Sequence, residues 1–136
     1  MASHVEFVCR IYEDDLLDGD VEQLLARCHP DVELVNPDEA VEAGARRGRD
    51  VLRALAATAW ESFAWHDHVL QRLYAGDDTV VAAVTFRARG AGSGVEVEQD
   101  EVHSWTFRDG DIVRFEWGRD PAAALAAAGL SEESGR

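Results

Sequence analysis

His103 is the side chain in this sequence best placed to do acid/base chemistry. The run from Glu101 to Trp117 alternates between two sets of residues, the period of a β-strand pair with one buried face. Glu101, His103, Trp105 and Phe107 fall on one side of the first strand, with Val102, Ser104, Thr106 and Arg108 on the other. The second strand repeats the pattern, Val113, Phe115 and Trp117 against Ile112, Arg114 and Glu116. If both odd-numbered sets share a face, the connection needs an odd number of residues. Arg108-Asp109-Gly110 meets that as a three-residue loop, with Gly110 supplying a left-handed conformation. His103 is then expected opposite Phe115. Imidazole titrates at about 6.5 and can give or take a proton near neutral pH, so one in an aromatic wall points to a small-molecule pocket with acid/base capability. The competing expectation is a structural histidine satisfied by Glu101, two positions away on the same face.

Other clusters read more simply. His66-Asp67-His68 sets two imidazoles on one strand face at a spacing that can chelate zinc, but the sequence identifies no third ligand, so no metal site is expected. Glu13-Asp14-Asp15 with Asp18 and Asp20 lacks the loop spacing of a calcium hand and reads as a solvated acidic face. Gly90 to Gly94 is glycine-rich without a following helix, which makes it a hairpin turn and not a phosphate cradle. Cys9 and Cys28 show neither a disulfide framework nor a redox spacing and read as reduced, small apolar residues.

The elements that must position His103 follow from periodicity. Val5, Val8, Ile11, Tyr12, Leu16 and Leu17 recur at helical intervals and predict an amphipathic helix over about residues 4–17, ending before Gly19. Asp20 caps a short second helix carrying Val21, Leu24 and Leu25 inward, and His29-Pro30-Asp31 stops it before a brief strand over 32–35. Asn36-Pro37 opens a polar loop that runs through Arg46-Arg47-Gly48 into a third helix over about 50–63, with Val51, Leu52, Leu55, Ala59 and Phe63 apolar. Strands follow at about 66–74, 80–88 and 95–107, and Val80, Ala82, Val84 and Phe86 mark one buried face. Asp120-Pro121 opens a last short helix that Gly129 closes, and residues 131–136 read as a disordered tail. Helices first and an antiparallel meander second make an α+β fold in a single domain over residues 1–130.

Composition removes several functional classes. A formal charge of −14, from 27 acidic residues against 13 arginines and no lysine, opposes binding to nucleic acid or anionic membranes. No apolar run approaches the roughly 20 residues of a spanning helix. The first residues lack a basic segment followed by an apolar stretch, so the expected location is cytoplasmic.

Several motifs together resemble the SnoaL-like branch of the nuclear transport factor 2 (NTF2)-like superfamily, which also holds ketosteroid isomerases and limonene epoxide hydrolases. They are Leu17-Asp18-Gly19-Asp20, His29-Pro30-Asp31-Val32, Gly48-Arg49-Asp50-Val51, Gly92-Ser93-Gly94-Val95-Glu96, the run His103 to Gly110, and the ending Ala124 to Leu130. The resemblance covers nearly the whole chain. It implies three N-terminal helices packed on a strongly curved antiparallel sheet, a conical cavity, and a homodimer formed through the sheet. Position by position, Tyr12 matches the tyrosine with which ketosteroid isomerases hold the substrate oxyanion, and His103 matches their second, acidic donor. Asn36, followed by Pro37, stands where those enzymes carry the catalytic aspartate. An amide cannot accept a proton from carbon, so the isomerase mechanism lacks its base here unless His103 takes over. Phe86, Trp105, Phe115 and Trp117 have the character to shape a site for a flat hydrophobic ligand. The expectation is a cofactor-independent isomerase or cyclase acting on a hydrophobic carbonyl compound, with His103 and Tyr12 catalytic. The alternative is a non-catalytic ligand-binding or dimerisation module of the same fold.

Overall fold

The computed structural model describes residues 2–38, 40 and 43–134. Its elements run α1 (Ala2–Glu13), α2 (Val21–Leu25), β1 (Cys28–Asn36), β2 (Gly44–Arg47), α3 (Arg49–Ser62), β3 (Phe63–Ala75), β4 (Thr79–Gly90), β5 (Glu96–Arg108), β6 (Asp111–Gly118) and α4 (Pro121–Ala127), with a 3-10 turn at Glu132–Ser134. The strands form one open six-stranded sheet in the order β2-β1-β6-β5-β4-β3. This is the expected α+β architecture with one correction, because β1 runs parallel to β6 and the sheet is therefore mixed. A parallel pair requires a long crossover, supplied here by everything between β1 and β6. Residues 135 and 136, the end of the expected tail, lie outside the described residues.

The helices divide between the two faces. α1, α2 and α3 cover the face formed by Val80, Ala82, Val84, Trp105 and Phe115, and their Val8, Ile11, Leu24 and Leu52 complete the main core. α4 covers the opposite face, where Leu125 packs with Tyr74, Val81 and Val102. Its start follows the sequence signal, since the Asp120 side chain accepts from the Ala123 amide at 3.2 Å and Pro121 occupies the first turn.

Two local departures shape the site. α1 ends at Glu13 instead of continuing to Leu17, and the chain turns through Asp15 in the left-handed region at φ 52°. The turn drives Leu16 into the core and carries Asp18 inward. Gly19 closes it: a Cβ there would lie 2.8 Å from the Asp15 carbonyl oxygen, so only glycine fits without movement. The second departure is the β5–β6 hairpin. Arg108 pairs with Asp111, leaving a two-residue turn of Asp109 and Gly110 with φ of 52° and 86°. That conformation matches the twist of paired strands. The odd residue needed for parity sits instead in a bulge, between the pairs Thr106–Arg114 and Phe107–Ile112. As a result Ile112 is buried where Val113 was expected, and His103 pairs with Trp117 while Phe115 pairs with Trp105. The His103 and Phe115 rings still meet edge to face, centroids 5.1 Å apart.

Candidate active site

A cavity of about 500 Å³ lies between α3 and the sheet. α3 contributes Leu52, Leu55, Ala56 and Ala59; the α1–α2 connection contributes Leu17 and Asp18; the sheet contributes His66, His68, Phe86, Glu101, His103, Phe115 and Trp117. Most of the wall is apolar, and the titratable groups gather on the sheet side. Strand parity explains that gathering. His66 and His68 share a face of β3, and the registers His68–Phe86, Val84–Glu101 and Ala82–His103 carry the same face across β4 to β5.

The hydrogen bonds around His103 can be directed from the chemistry of the partners. Trp105 Nε1, a donor only, gives its proton to the Tyr12 hydroxyl at 2.9 Å. Tyr12 then donates to His103 Nδ1 at 2.6 Å, and His103 Nε2–H donates to the Glu101 carboxylate at 2.9 Å. Every group in this chain is satisfied with His103 neutral. Its burial pushes its pKa below the ordinary value; Glu101 opposes that fall, and the charge on His68 reinforces it. The Tyr12 hydroxyl is pushed well above its ordinary range by the same burial.

His68 is the opposite case. Its Nδ1 lies 2.9 Å from both oxygens of Asp18, and its Nε2 lies 3.6 Å from Glu101. Burial works against a charge there, but the two carboxylates outweigh it and raise the pKa to about 9, so His68 is an imidazolium at neutral pH. Burial likewise would raise both carboxyls, and the imidazole contacts outweigh it in each. Glu101 is held down at about 2, and Asp18 falls below the usual carboxylate range. Gln99 donates to the second Glu101 oxygen at 2.8 Å. His66 Nδ1 also reaches Asp18, at 2.8 Å, while its Nε2 is buried without a partner.

Of the residues singled out in the sequence, His103, Asn36, Phe86, Phe115 and Trp117 border the cavity. Tyr12 and Trp105 lie behind that wall, where they hold His103. Asn36 accepts from Trp117 Nε1 at 2.7 Å, which ties the end of β1 to β6. The sequence reading missed Asp18, which is buried among histidines and not part of a solvated face. The paired imidazoles of His66-Asp67-His68 were the available signal, since two buried histidines on one face call for an acceptor. His68, Glu101 and His103 bring one donor atom each within 4.8 Å of one another. A cation there would have to displace the His103 Nε2 proton and turn Nδ1 into a second donor onto Tyr12, so the present bonding is that of a proton network. Cys9 and Cys28 are both free thiols, and burial pushes Cys28 up to about 12.

The comparisons agree with the fold. A TerC structure co-crystallised with polyporic acid is 27% identical, covering 89% of this chain and 94% of that one at a TM-score of 0.73. An NTF2-like protein of unknown function from Burkholderia pseudomallei is 24% identical over 94% of this chain and 98% of its own, with a TM-score of 0.75. A protein assigned as a SnoaL-like polyketide cyclase from a Jannaschia species is 20% identical over 96% of this chain and 94% of its own, also at 0.75. No curated protein sequence matches the chain. The SnoaL-like domain model matches residues 8–115, from α1 through the centre of β6, and the chain therefore belongs to the SnoaL-like family of the NTF2-like fold.

Proposed function

We propose that this chain is a cofactor-independent isomerase or cyclase acting on a hydrophobic carbonyl compound. The observation that carries the reading is the polar end of the cavity, where a neutral imidazole (His103) and a charged one (His68) share the Glu101 carboxylate. Neighbouring groups whose environments push their charge states apart are what acid/base chemistry at neutral pH requires. The apolar body of the substrate packs on Phe86, Phe115, Trp117 and the α3 leucines, and its carbonyl oxygen comes to the sheet side beside Glu101 and His103. His103 Nε2–H donates a hydrogen bond to that oxygen, beside the charged His68. Tyr12 is a positioning residue: by donating to Nδ1 it keeps the His103 proton on Nε2. Trp105 serves the same end one step further back, and Asn36 holds Trp117 against the ligand.

Binding of polyporic acid by the TerC relative supports a small organic ligand as partner. One observation favours the second reading, a binding module without chemistry: both His103 nitrogens are already engaged within the protein. A homodimer through the sheet is part of our reading. The face of β4 and β5 opposite the cavity continues beyond α4 as Arg87, Glu98 and Asp100, an exposed polar surface suited to a second copy, and sedimentation velocity reads its assembly directly. A cytoplasmic location accords with two free thiols, and no helix among the described residues is long and apolar enough to cross a membrane.

The test of the chemistry is exchange of the α-hydrogens of a flat ketone, 2-tetralone, for deuterium, followed by proton NMR. The expected result is exchange above the buffer rate that falls by about 10²–10⁴ in His103→Ala, the usual contribution of a positioned acid or base, with the far-UV spectrum unchanged. Exchange within a few-fold of wild type in that variant would remove His103 from the mechanism.

A further inference from the structure

Three imidazoles border the cavity, and their hydrogen-bonding capacity is spent differently. His103 has one nitrogen on Tyr12 and the other on Glu101; His68 has one on Asp18 and the other facing Glu101. His66 is bound on one side only. Its Nδ1 is 2.8 Å from Asp18 Oδ1, its side chain is 4% exposed, and its Nε2 is the one buried side-chain polar atom without a partner among the described residues. Leaving such an atom unpaired costs about 1–3 kcal/mol, and His66 is among the residues that line the cavity, so this nitrogen has hydrogen-bonding capacity in reserve beside it. The ring is also held in place. Trp60 meets it edge-on with centroids 5.7 Å apart, and Phe63 lies 6.0 Å away.

We propose that His66, oriented by Asp18, is the catalytic base of the site and that His68 is its paired acid; this rests on reading the cavity as an acid/base site for carbonyl compounds. Asp18 is a carboxylate and only accepts, so it fixes the proton of a neutral His66 on Nδ1 and leaves the lone pair on Nε2. A carboxylate behind an imidazole both sets this tautomer and stabilises the imidazolium that forms when Nε2 takes a proton. The step balances without a co-reactant. Nε2 of His66 removes a hydrogen from the carbon next to the carbonyl, and the C–H electron pair becomes the C=C bond of the enol. The carbonyl π pair moves to oxygen, which takes the Nε2 proton of His68. Returning the first proton to the same or a conjugated carbon, with the second going back to His68, completes an isomerisation; in a cyclisation the enol carbon attacks a second carbonyl, whose oxygen takes the proton held by His66 while the enol O–H gives its proton back to His68. The two carboxylates are poor candidates for the base, because their imidazole contacts hold both below the ordinary carboxylate range. Because one nitrogen, His66 Nε2, takes and returns the carbon-bound proton in the isomerisation, removal and return occur on one face of the substrate.

Long-range nitrogen–proton NMR of the histidine rings, together with 2-tetralone exchange in deuterium oxide, tests this. The expected spectrum has an unprotonated His66 Nε2 that shifts when 2-tetralone is added and two protonated nitrogens on His68; exchange falls by about 10²–10⁴ in His66→Gln and His66→Asn, while 2-tetralone still binds. A protonated His66 Nε2, or exchange that survives both His66 variants while His103→Ala abolishes it, overturns the assignment and leaves the acid/base reading of the cavity standing. No exchange by the wild-type protein overturns both. Should either variant unfold, the wild-type nitrogen spectrum decides: an unprotonated, ligand-responsive Nε2 supports the assignment and a protonated one refutes it.

Discussion

Replacing Asp18 with asparagine tests the electrostatic core of this site. The side chain is 7% exposed and accepts from His66 at 2.8 Å and from His68 at 2.9 Å on each oxygen. Asparagine keeps the shape, but its amide group points N–H at N–H where one oxygen had been. It also removes one of the two negative charges that hold His68 as an imidazolium. Deleting one partner of a buried ion pair costs about 3–5 kcal/mol. Glu101 remains 3.6 Å from the other nitrogen, which places the expected loss at the lower end. Asp18→Asn should therefore lose roughly 3 kcal/mol near pH 6, or about 10 °C of Tm for a chain of this size. The sign of the pH dependence follows from linkage. A histidine raised to about 9 when folded contributes stability that is complete below its unfolded value of about 6.5 and disappears as the pH climbs through 9. The penalty should therefore shrink to roughly 1 kcal/mol near pH 10, where wild-type His68 has already lost its proton. Urea unfolding at both pH values measures this. An equal loss at the two would show that Asp18 acts by shape alone, and no loss at either would remove it from the site.

Wild-type stability should peak near pH 6.5, for reasons that act from both sides. As the pH falls below about 4.5, Glu101 (held at about 2) and Asp18 lose stability that is present only while they are ionised, and burial of neutral His103 adds to the loss from about 6.5 downward. Above about 6.5, the His68 contribution fades toward 9. A thermal-denaturation series across pH reads the profile, and a plateau through pH 9 would contradict the assigned charge on His68. Tyr12→Phe strips a hydroxyl that accepts from Trp105 and donates to His103, leaving two buried polar atoms unpaired, so it should cost about 2–4 kcal/mol by urea unfolding. The same variant should loosen the His103 tautomer in nitrogen NMR, and an unchanged ring spectrum would mean that Tyr12 does not set it.

Local pattern carried the elements with a strong apolar signal. The helical spacing of Val8, Ile11 and Tyr12 is visible because burial is periodic there, and β4 is visible as an apolar run, with Val80, Val81, Ala82 and Val84 all buried. β2 was invisible for the complementary reason: all four of its residues are exposed, and it exists as a strand only through backbone pairing with β1. The parallel partnership of β1 with β6 joins segments about 80 residues apart, beyond the reach of any window. In the hairpin, parity correctly demanded an odd residue, but parity cannot distinguish a longer loop from a bulge. For the site, His103 and its link to Glu101 were legible because both lie on one strand face. Asp18 was not, since its burial depends on the left-handed turn at Asp15 and on β3 lying across it nearly 50 residues later.

The central claim is that the cavity between α3 and the sheet takes a hydrophobic small molecule, and thermal shift with polyporic acid and 2-tetralone tests it most directly when run beside Ala56→Trp, which fills the cavity from α3. A ligand at 100 times its Kd stabilises by about 2.7 kcal/mol, so the account predicts a rise of roughly 8–10 °C in the wild-type protein and none in the filled variant. An equal rise in both proteins, or none with either compound in the wild type, would contradict it.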